Sequence, residues 1–274
     1  MFLPLFFAGR IFDQDKLLLL VAGFFGFSFS ASFIYVLNDY RDIESDRSHP
    51  EKKNRPLASG AISPAAGLTL ALLLLLSGLS IGYFLDFGFL TCLFFYVVLN
   101  VAYSLKLKHI PILDTSIIAT GFVLRIIAGA EIADVPTSKW IILMTFLLAL
   151  LLGFAKRRDD VLIFNESGKK LRKSIDGYNL DFINLSMILM AGIVIMSYIL
   201  YTLSPEVVQR WKTENLYLTA FPVILGILRY LQLTFVENRS GNPTRILLKD
   251  IIIQSVIAVW IVLFYLIIYM HKIL

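Results

Sequence analysis

Eight stretches of this chain are long, apolar and nearly free of charge: residues 17–36, 65–85, 87–103, 112–130, 140–155, 182–201, 216–235 and 251–269. Nothing else in the sequence constrains the fold as strongly. Runs of this length match the roughly 30 Å of hydrocarbon in a bilayer, since a helix rises about 1.5 Å per residue. Lipid offers no water to backbone polar groups, so each run has to satisfy its own hydrogen bonds as a helix. A β-barrel would show alternation of apolar and polar residues over strands of about ten residues, and no such pattern is present. The expectation is all-α: a polytopic membrane helical bundle of eight full transmembrane helices. Residues 1–8 read as the remnant of a further helix, without the basic region or small-residue cleavage site of a signal peptide.

Composition agrees, with 58% of residues hydrophobic and 16% charged, where soluble domains run near half and about a quarter. No linker or second composition zone interrupts the chain, so 1–274 reads as a single integral membrane domain. The net charge of +5 gives no reason to expect nucleic acid. Cys92 lies within an apolar run, and His49, His109 and His271 have no partner at ligand spacing, which excludes a Cys- or His-based metal site.

Basic residues report topology instead. If 37–61 is cytoplasmic, parity places 104–111, 156–181 and 236–250 on the same side, and these loops hold 17 Lys and Arg against six on the other. The positive-inside rule therefore orients the chain with these loops in the cytoplasm of a cell (inner) membrane. The two richest, 37–61 and 156–181, are the expected functional loops. Their spacing hints at two related halves, as internal repeats do in transporters.

The first functional loop opens with Asn38-Asp39-Tyr40-Arg41-Asp42-Ile43-Glu44-Ser45-Asp46. Steps of three and four bring Asp39, Asp42 and Asp46 onto one helix face within about 60°. Carboxylates about 6 Å apart repel by roughly 3 kcal/mol per pair at an effective dielectric near 20, which favours a bound cation. All-oxygen ligands suit Mg²⁺, which uses one or two carboxylates together with substrate phosphates. The competing reading is a solvated loop whose acids pair with Arg41, Arg47, Lys52 and Lys53. Downstream, Arg55-Pro56-Leu57-Ala58-Ser59-Gly60 supplies Arg55 as the candidate phosphate ligand, whereas Lys52 and Lys53 read as membrane-surface anchors.

Other residues follow the same chemistry. Tyr103 and Lys106 end a helix at the cytoplasmic surface, where Lys106 and Lys108 can snorkel and Lys106 is the candidate for substrate contact. Asp114 and Arg125 recur on one helix face, about 16 Å apart and too far to pair. Arg125, inside an apolar span, is expected to meet a phosphate or an acid of another helix. Lys156-Arg157-Arg158-Asp159-Asp160 combines cations for phosphate with acids for a metal or a sugar hydroxyl. The basic group at 169–173 reads as an anchor to anionic lipid, and Tyr178 follows it.

These motifs resemble the UbiA-type prenyltransferase superfamily, and within it the branch that transfers phosphoribose to decaprenyl phosphate. The resemblance rests on 38–46 with 55–60, 103–108 with Asp114, 121–129 with Arg125, the Lys156–Asp160 run, and Arg229-Tyr230. Its aromatic-substrate members carry an Asp-x-x-x-Asp motif where this chain has Lys-Arg-Arg-Asp-Asp, and the family's Arg-Pro and Gln-Trp before the first helix have no counterpart here. The resemblance implies Mg²⁺-dependent transfer of 5-phosphoribose from phosphoribosyl diphosphate to a polyprenyl phosphate, for cell-envelope polysaccharide. It implies Asp39, Asp42 and Asp46 as metal ligands with Asn38 beside them, Asp39, Asp42, Lys156 and Arg157 as catalytic residues, and Arg55, Tyr103, Lys106, Arg125, Asp159, Asp160 and Tyr178 as substrate-binding residues. Two alternatives stay open: transfer of a prenyl group from its diphosphate to an aromatic or glycerol acceptor, and a membrane transporter. A homo-oligomer is also left open.

Overall fold

The computed structural model describes residues 1–47, 52–168, 170, 172–241 and 243–269; His49, Lys169 and His271 lie outside the described residues. Among the described residues every regular element is helical: α1 (Leu3–Phe7), α2 (Gln14–Arg41), α3 (Ile43–Arg47), α4 (Pro64–Leu85), α5 (Phe87–Leu105), α6 (Leu113–Ala133), α7 (Lys139–Ser167), α8 (Leu180–Leu203), α9 (Pro205–Trp211), α10 (Ala220–Phe235), α11 (Pro243–Lys249) and α12 (Ile251–Tyr269), with short 3₁₀ turns between. Eight of these, α2, α4 to α8, α10 with its leading 3₁₀ turn, and α12, are long and apolar enough to cross a membrane. The chain is a multi-pass membrane protein, and α1 is the short helix expected at residues 1–8.

Helix ends follow local chemistry. Asp13 accepts from the Lys16 amide, Ser63 from the Ala66 amide ahead of Pro64, and Asn179 from the Phe182 amide, each satisfying a donor that the first turn leaves unpaired. Asp86 ends α4 and caps α5, with Phe89 N–H on its carboxylate at 2.8 Å, which makes the α4–α5 connection one residue long. Two helices overrun their apolar spans. α2 continues through Arg41, and α7 continues through Lys156–Asp160 to Ser167, so 156–167, read from sequence as loop, is helical. Charge marks where the lipid-compatible run stops, but it does not stop a helix of good formers such as Lys and Arg.

The chain packs as two compact units, one of residues 1–108 and 120–142 and the other of 109–119 and 143–274. In the first, α2 and α4 pack through small residues: a Cβ on Gly78 would run into Ser30 Oγ and lie 2.8 Å from the Gly26 carbonyl. Leu20, Phe27, Phe89, Leu93 and Ile132 fill its core. In the second unit Leu151, Phe154, Ile175, Ile183, Met187 and Leu233 form the core. A polar tie closes part of it, with Trp260 Nε1 donating to Tyr198 Oη at 2.6 Å and that hydroxyl bonded to Thr219 Oγ1 at 2.8 Å.

Candidate functional site

Helix α2 carries the acidic motif beyond the apolar span. The Asp42 amide still reaches the Asn38 carbonyl at 3.0 Å, but Asp42 itself leaves helical geometry at φ −95°, ψ 7°. α3 resumes at once, with the Asp46 amide on the Asp42 carbonyl at 2.8 Å, so the three-and-four spacing survives the joint. Asp39 and Asp46 converge on one nitrogen: Arg55 Nη1 donates to Asp39 Oδ1 at 2.7 Å and to Asp46 Oδ2 at 2.9 Å. Asp42 meets a different cation. Lys108 Nζ lies 3.5 Å from both its carboxylate oxygens and 3.3 Å from Asn38 Oδ1, while Asn38 Nδ2 donates to Asp42 Oδ2 at 3.2 Å.

The run from Arg55 to Gly60 is shaped to present that guanidinium. A 3₁₀ turn over Lys52–Asn54 sets the Arg55 amide on the Lys52 carbonyl at 2.9 Å. Leu57 is buried against Gly67 of α4, where a Cβ would come within 2.7 Å of it. The Ala58 carbonyl accepts from Arg47 Nε at 3.2 Å. Gly60 turns the chain at φ +81°, a conformation that suits glycine. Arg41 Nη1 donates to the Ser104 carbonyl at 2.6 Å, tying the end of α2 to the end of α5 and bringing Lys108 to the acids.

The second unit gathers the later cluster in a different way. Arg157 is 1% exposed, with Nε 2.9 Å from Asp114 Oδ2 and Nη1 on Asp160 Oδ2 one turn along α7. Asp114, fully buried, also accepts from Ser174 Oγ at 3.0 Å and from Tyr178 Oη at 2.6 Å. The same hydroxyl accepts from the Ile112 amide at 2.6 Å. Ile112 adopts φ +69°, an outlier for a β-branched residue, so Tyr178 pins a strained turn at the start of α6. Burial pushes the Tyr178 hydroxyl above its ordinary pKa, and its hydrogen bond to Asp114 adds to the shift, so it stays a donor. Arg172 Nε stands 3.4 Å from Asp160 Oδ2, so two cations balance two acids. Arg158 turns elsewhere, donating to Asn184 Oδ1 at 3.1 Å and to Asn238 Oδ1 at 2.9 Å with Phe235 under its guanidinium.

Of the expected site residues, the first unit brings together Asn38, Asp39, Asp42, Asp46 and Arg55, and the second Arg157, Asp160 and Tyr178. Lys106 and Lys156 are exposed, Tyr103 is half-buried, and Asp159 packs against Gly241. Arg125 differs from expectation, because aromatic groups meet it where an anion was expected. Its guanidinium lies 5.0 Å from the centre of the Phe27 ring and 5.6 Å from that of Tyr96, and Nη2 donates to Tyr96 Oη at 3.3 Å. The quadrupoles of those faces stabilise a cation without an ion pair. Ser174 was not singled out from sequence, and Lys108 and Arg158 were named there only within their basic runs. Lys108 stood out as the second lysine after a helix end and Arg158 as a member of the Lys156–Asp160 run, whereas Ser174 carried no signal.

The model of the UbiA prenyltransferase family matches residues 2–249. The chain belongs to that family. Among its relatives, the decaprenyl-phosphate phosphoribosyltransferase of Mycolicibacterium smegmatis is 32% identical over 241 residues, covering 86% of this chain and 76% of the relative. The enzyme of the same name from Corynebacterium glutamicum is 32% identical over 260 residues, covering 93% and 77%. A UbiA homolog from Archaeoglobus fulgidus, solved with DMAPP and Mg²⁺, superposes with a TM-score of 0.68 at 19% identity, covering 91% of this chain and 87% of that one. A digeranylgeranylglyceryl phosphate synthase structure gives 0.62 at 21% identity, covering 94% and 89%. This UbiA-family chain is a transferase, and its fold is that of these neighbours.

The Archaeoglobus fulgidus homolog, solved with Mg²⁺, raises the question of whether the residues here suit that ion. Among the described residues, no group of three or more His, Cys, Asp or Glu side chains is arranged to hold a metal unaided. The donor chemistry nevertheless fits. Asp39, Asp42 and Asp46 are hard oxygen ligands already gathered around positive charge, and Asn38 adds an amide oxygen. Mg²⁺ keeps waters and takes only one or two carboxylates when a substrate phosphate completes its shell.

Proposed function

We propose that this UbiA-family transferase moves 5-phosphoribose from phosphoribosyl diphosphate to a polyprenyl phosphate. The product is a polyprenyl-phosphoryl 5-phosphoribose, a pentose donor precursor for cell-envelope polysaccharide. One observation carries the reading: three carboxylates at the end of a membrane-spanning helix, held by Arg55 and Lys108. That pairing of acids and cations suits a metal-bound diphosphate. The donor is taken from the relatives' shared name.

In this mechanism an oxygen of the polyprenyl phosphate attacks the anomeric carbon, the bond from that carbon to the diphosphate breaks, and pyrophosphate leaves. A phosphate monoester is largely ionised near neutral pH, so no residue is assigned as general base. Asp39, Asp42 and Asp46, with Asn38, would hold Mg²⁺. When bound, the ion neutralises charge developing on the leaving group. Arg55 and Lys108 contact phosphate oxygens, with Lys106 exposed near the same helix end. In the second unit Arg157, Asp160, Asp114 and Tyr178 hold the helix end and the strained turn. The acidic motif faces the cytoplasm of the cell membrane, as the Lys and Arg distribution orients it.

The test uses membranes containing the protein, labelled phosphoribosyl diphosphate, polyprenyl phosphate and Mg²⁺. Label is expected to pass to the lipid phase, and Asp42→Ala to abolish the transfer. Transfer from a prenyl diphosphate to an aromatic acid, with none from phosphoribosyl diphosphate, would replace this reading with the prenyltransferase alternative.

A further inference from the structure

We infer that Arg55 is an exchangeable counter-ion: it occupies Asp39 and Asp46 in place of the metal, and moves to the diphosphate when metal and diphosphate bind together. The inference rests on reading this cluster as a metal–diphosphate site, but not on the donor carrying phosphoribose.

One guanidinium nitrogen serves both carboxylates, at 2.7 Å and 2.9 Å, which is where a shared cation between two acids belongs. Asp46 is 3% exposed, so removing Arg55 with nothing in its place would leave a buried charge next to a second acid, an unfavourable state. Arg55 thus competes with any ion that uses Asp39 and Asp46. Its side chain is about one-third exposed, at 36%, and it springs from an irregular segment, so its tip has room to leave. The backbone need not follow. Leu57 against Gly67, and the Ala58 carbonyl on Arg47, anchor the segment independently of the guanidinium.

A destination is built into the chemistry. A guanidinium matches phosphate oxygens as well as carboxylates, so diphosphate offers Arg55 a replacement partner at the moment metal takes the acids. Lys108 contrasts with it, because its nitrogen stands at 3.5 Å from Asp42 and also touches Asn38. Asp42 is therefore the most weakly held acid and the natural first ligand. Metal alone must displace Arg55 with no compensation, whereas metal with diphosphate exchanges one set of charged contacts for another. Binding of the two is accordingly cooperative.

The experiment uses the full-length protein in nanodiscs, with Mn²⁺ as metal probe and inorganic pyrophosphate as diphosphate probe. Mn²⁺ affinity without pyrophosphate is read from the free-ion paramagnetic signal, and pyrophosphate affinity at saturating Mn²⁺ from retained label. Arg55→Gln is expected to tighten Mn²⁺ binding about tenfold or more, the fold equivalent of charge-assisted hydrogen bonds that no longer compete. The same variant is expected to weaken pyrophosphate binding. Opposite signs are the signature, since an arginine that merely supports the fold would weaken both. The proposal is overturned if Arg55→Gln binds Mn²⁺ no more tightly than the unsubstituted protein, or pyrophosphate no more weakly. If Arg55→Gln is not monodisperse, Arg55→Met decides by the same two signs, because it keeps an unbranched stem and removes the charge. A protein that proves to transfer prenyl groups leaves both measurements valid, so the two readings fail separately.

Discussion

Asp42 has the weakest native partner of the three acids, and its neighbours show how far residue spacing reaches. Steps of three and four along 39–46 were enough to put Asp39, Asp42 and Asp46 together, because helical periodicity is local. The identity of their partners was only half legible. Arg55 follows 16 positions after Asp39, and Lys108 follows Asp42 by 66, separations at which no periodicity operates. Asp42→Asn is expected to lower transfer by about a hundredfold or more, the scale of losing a group that stabilises developing charge, while the protein still purifies folded; initial rates with phosphoribosyl diphosphate measure it. Tyr178 belongs to a different class of residue, since its hydroxyl both donates to Asp114 and accepts from Ile112. Tyr178→Phe takes the hydroxyl acceptor from the Ile112 amide and one donor from the buried Asp114, which keeps Ser174 and Arg157. It should destabilise the protein by about 1–3 kcal/mol, read from denaturant titration in micelles, and an unchanged transition would show that the strained turn at Ile112 holds without it.

Helices were readable wherever lipid dictates them, and less so where the chain leaves it. The eight apolar runs each became a helix, but α2 and α7 run on past the hydrophobic segment and carry the charged motifs as helix ends. The close fit of α2 and α4 depends on Gly26 and Gly78 being opposed, a pairing that composition does not announce. Gly78→Val is expected to destabilise the protein by about 1–3 kcal/mol through overpacking, with Gly192→Val, at a position with nothing within 4 Å of an added Cβ, as the control in the same unfolding assay. α10 and α12 are tied by charge. Arg229 Nη2 donates to Asp250 Oδ2 at 2.7 Å, and Asp250 Oδ1 accepts from the Ile253 amide at 2.9 Å, capping α12. The Arg229 hydrogen bond holds the Asp250 carboxyl below the usual carboxylate value of 3.8. A depressed folded pKa favours the ionised form, so this contribution is present above about pH 4 and is lost as pH falls through the folded value. Asp250→Asn should therefore lower stability by a pH-independent amount in the neutral region and flatten the acid limb, as denaturant titration across pH measures.

For the whole molecule, orientation in the bilayer is the property that most directly decides which compartment supplies substrate. The distribution of 17 Lys and Arg against six predicts that the acidic motif faces inward. Cys92 is the chain's single cysteine, so a Cys92→Ser background permits labelling at chosen sites. Ser59→Cys should react with an impermeant maleimide only after cells are opened, and Glu214→Cys in intact cells; the reverse pattern would overturn the orientation. The sequence by itself determined that the chain is a bundle of membrane-spanning helices and that its acids share a helix face, because both follow from local rules: water is absent from lipid, and a helix repeats every few residues. Tertiary structure alone decided that Arg55 bridges Asp39 and Asp46, that Lys108 stands at Asp42, that Arg157 is buried between Asp114 and Asp160, and that Arg125 rests on aromatic faces. A charged side chain can satisfy itself with any of several partners of similar energy, and packing of distant segments selects among them.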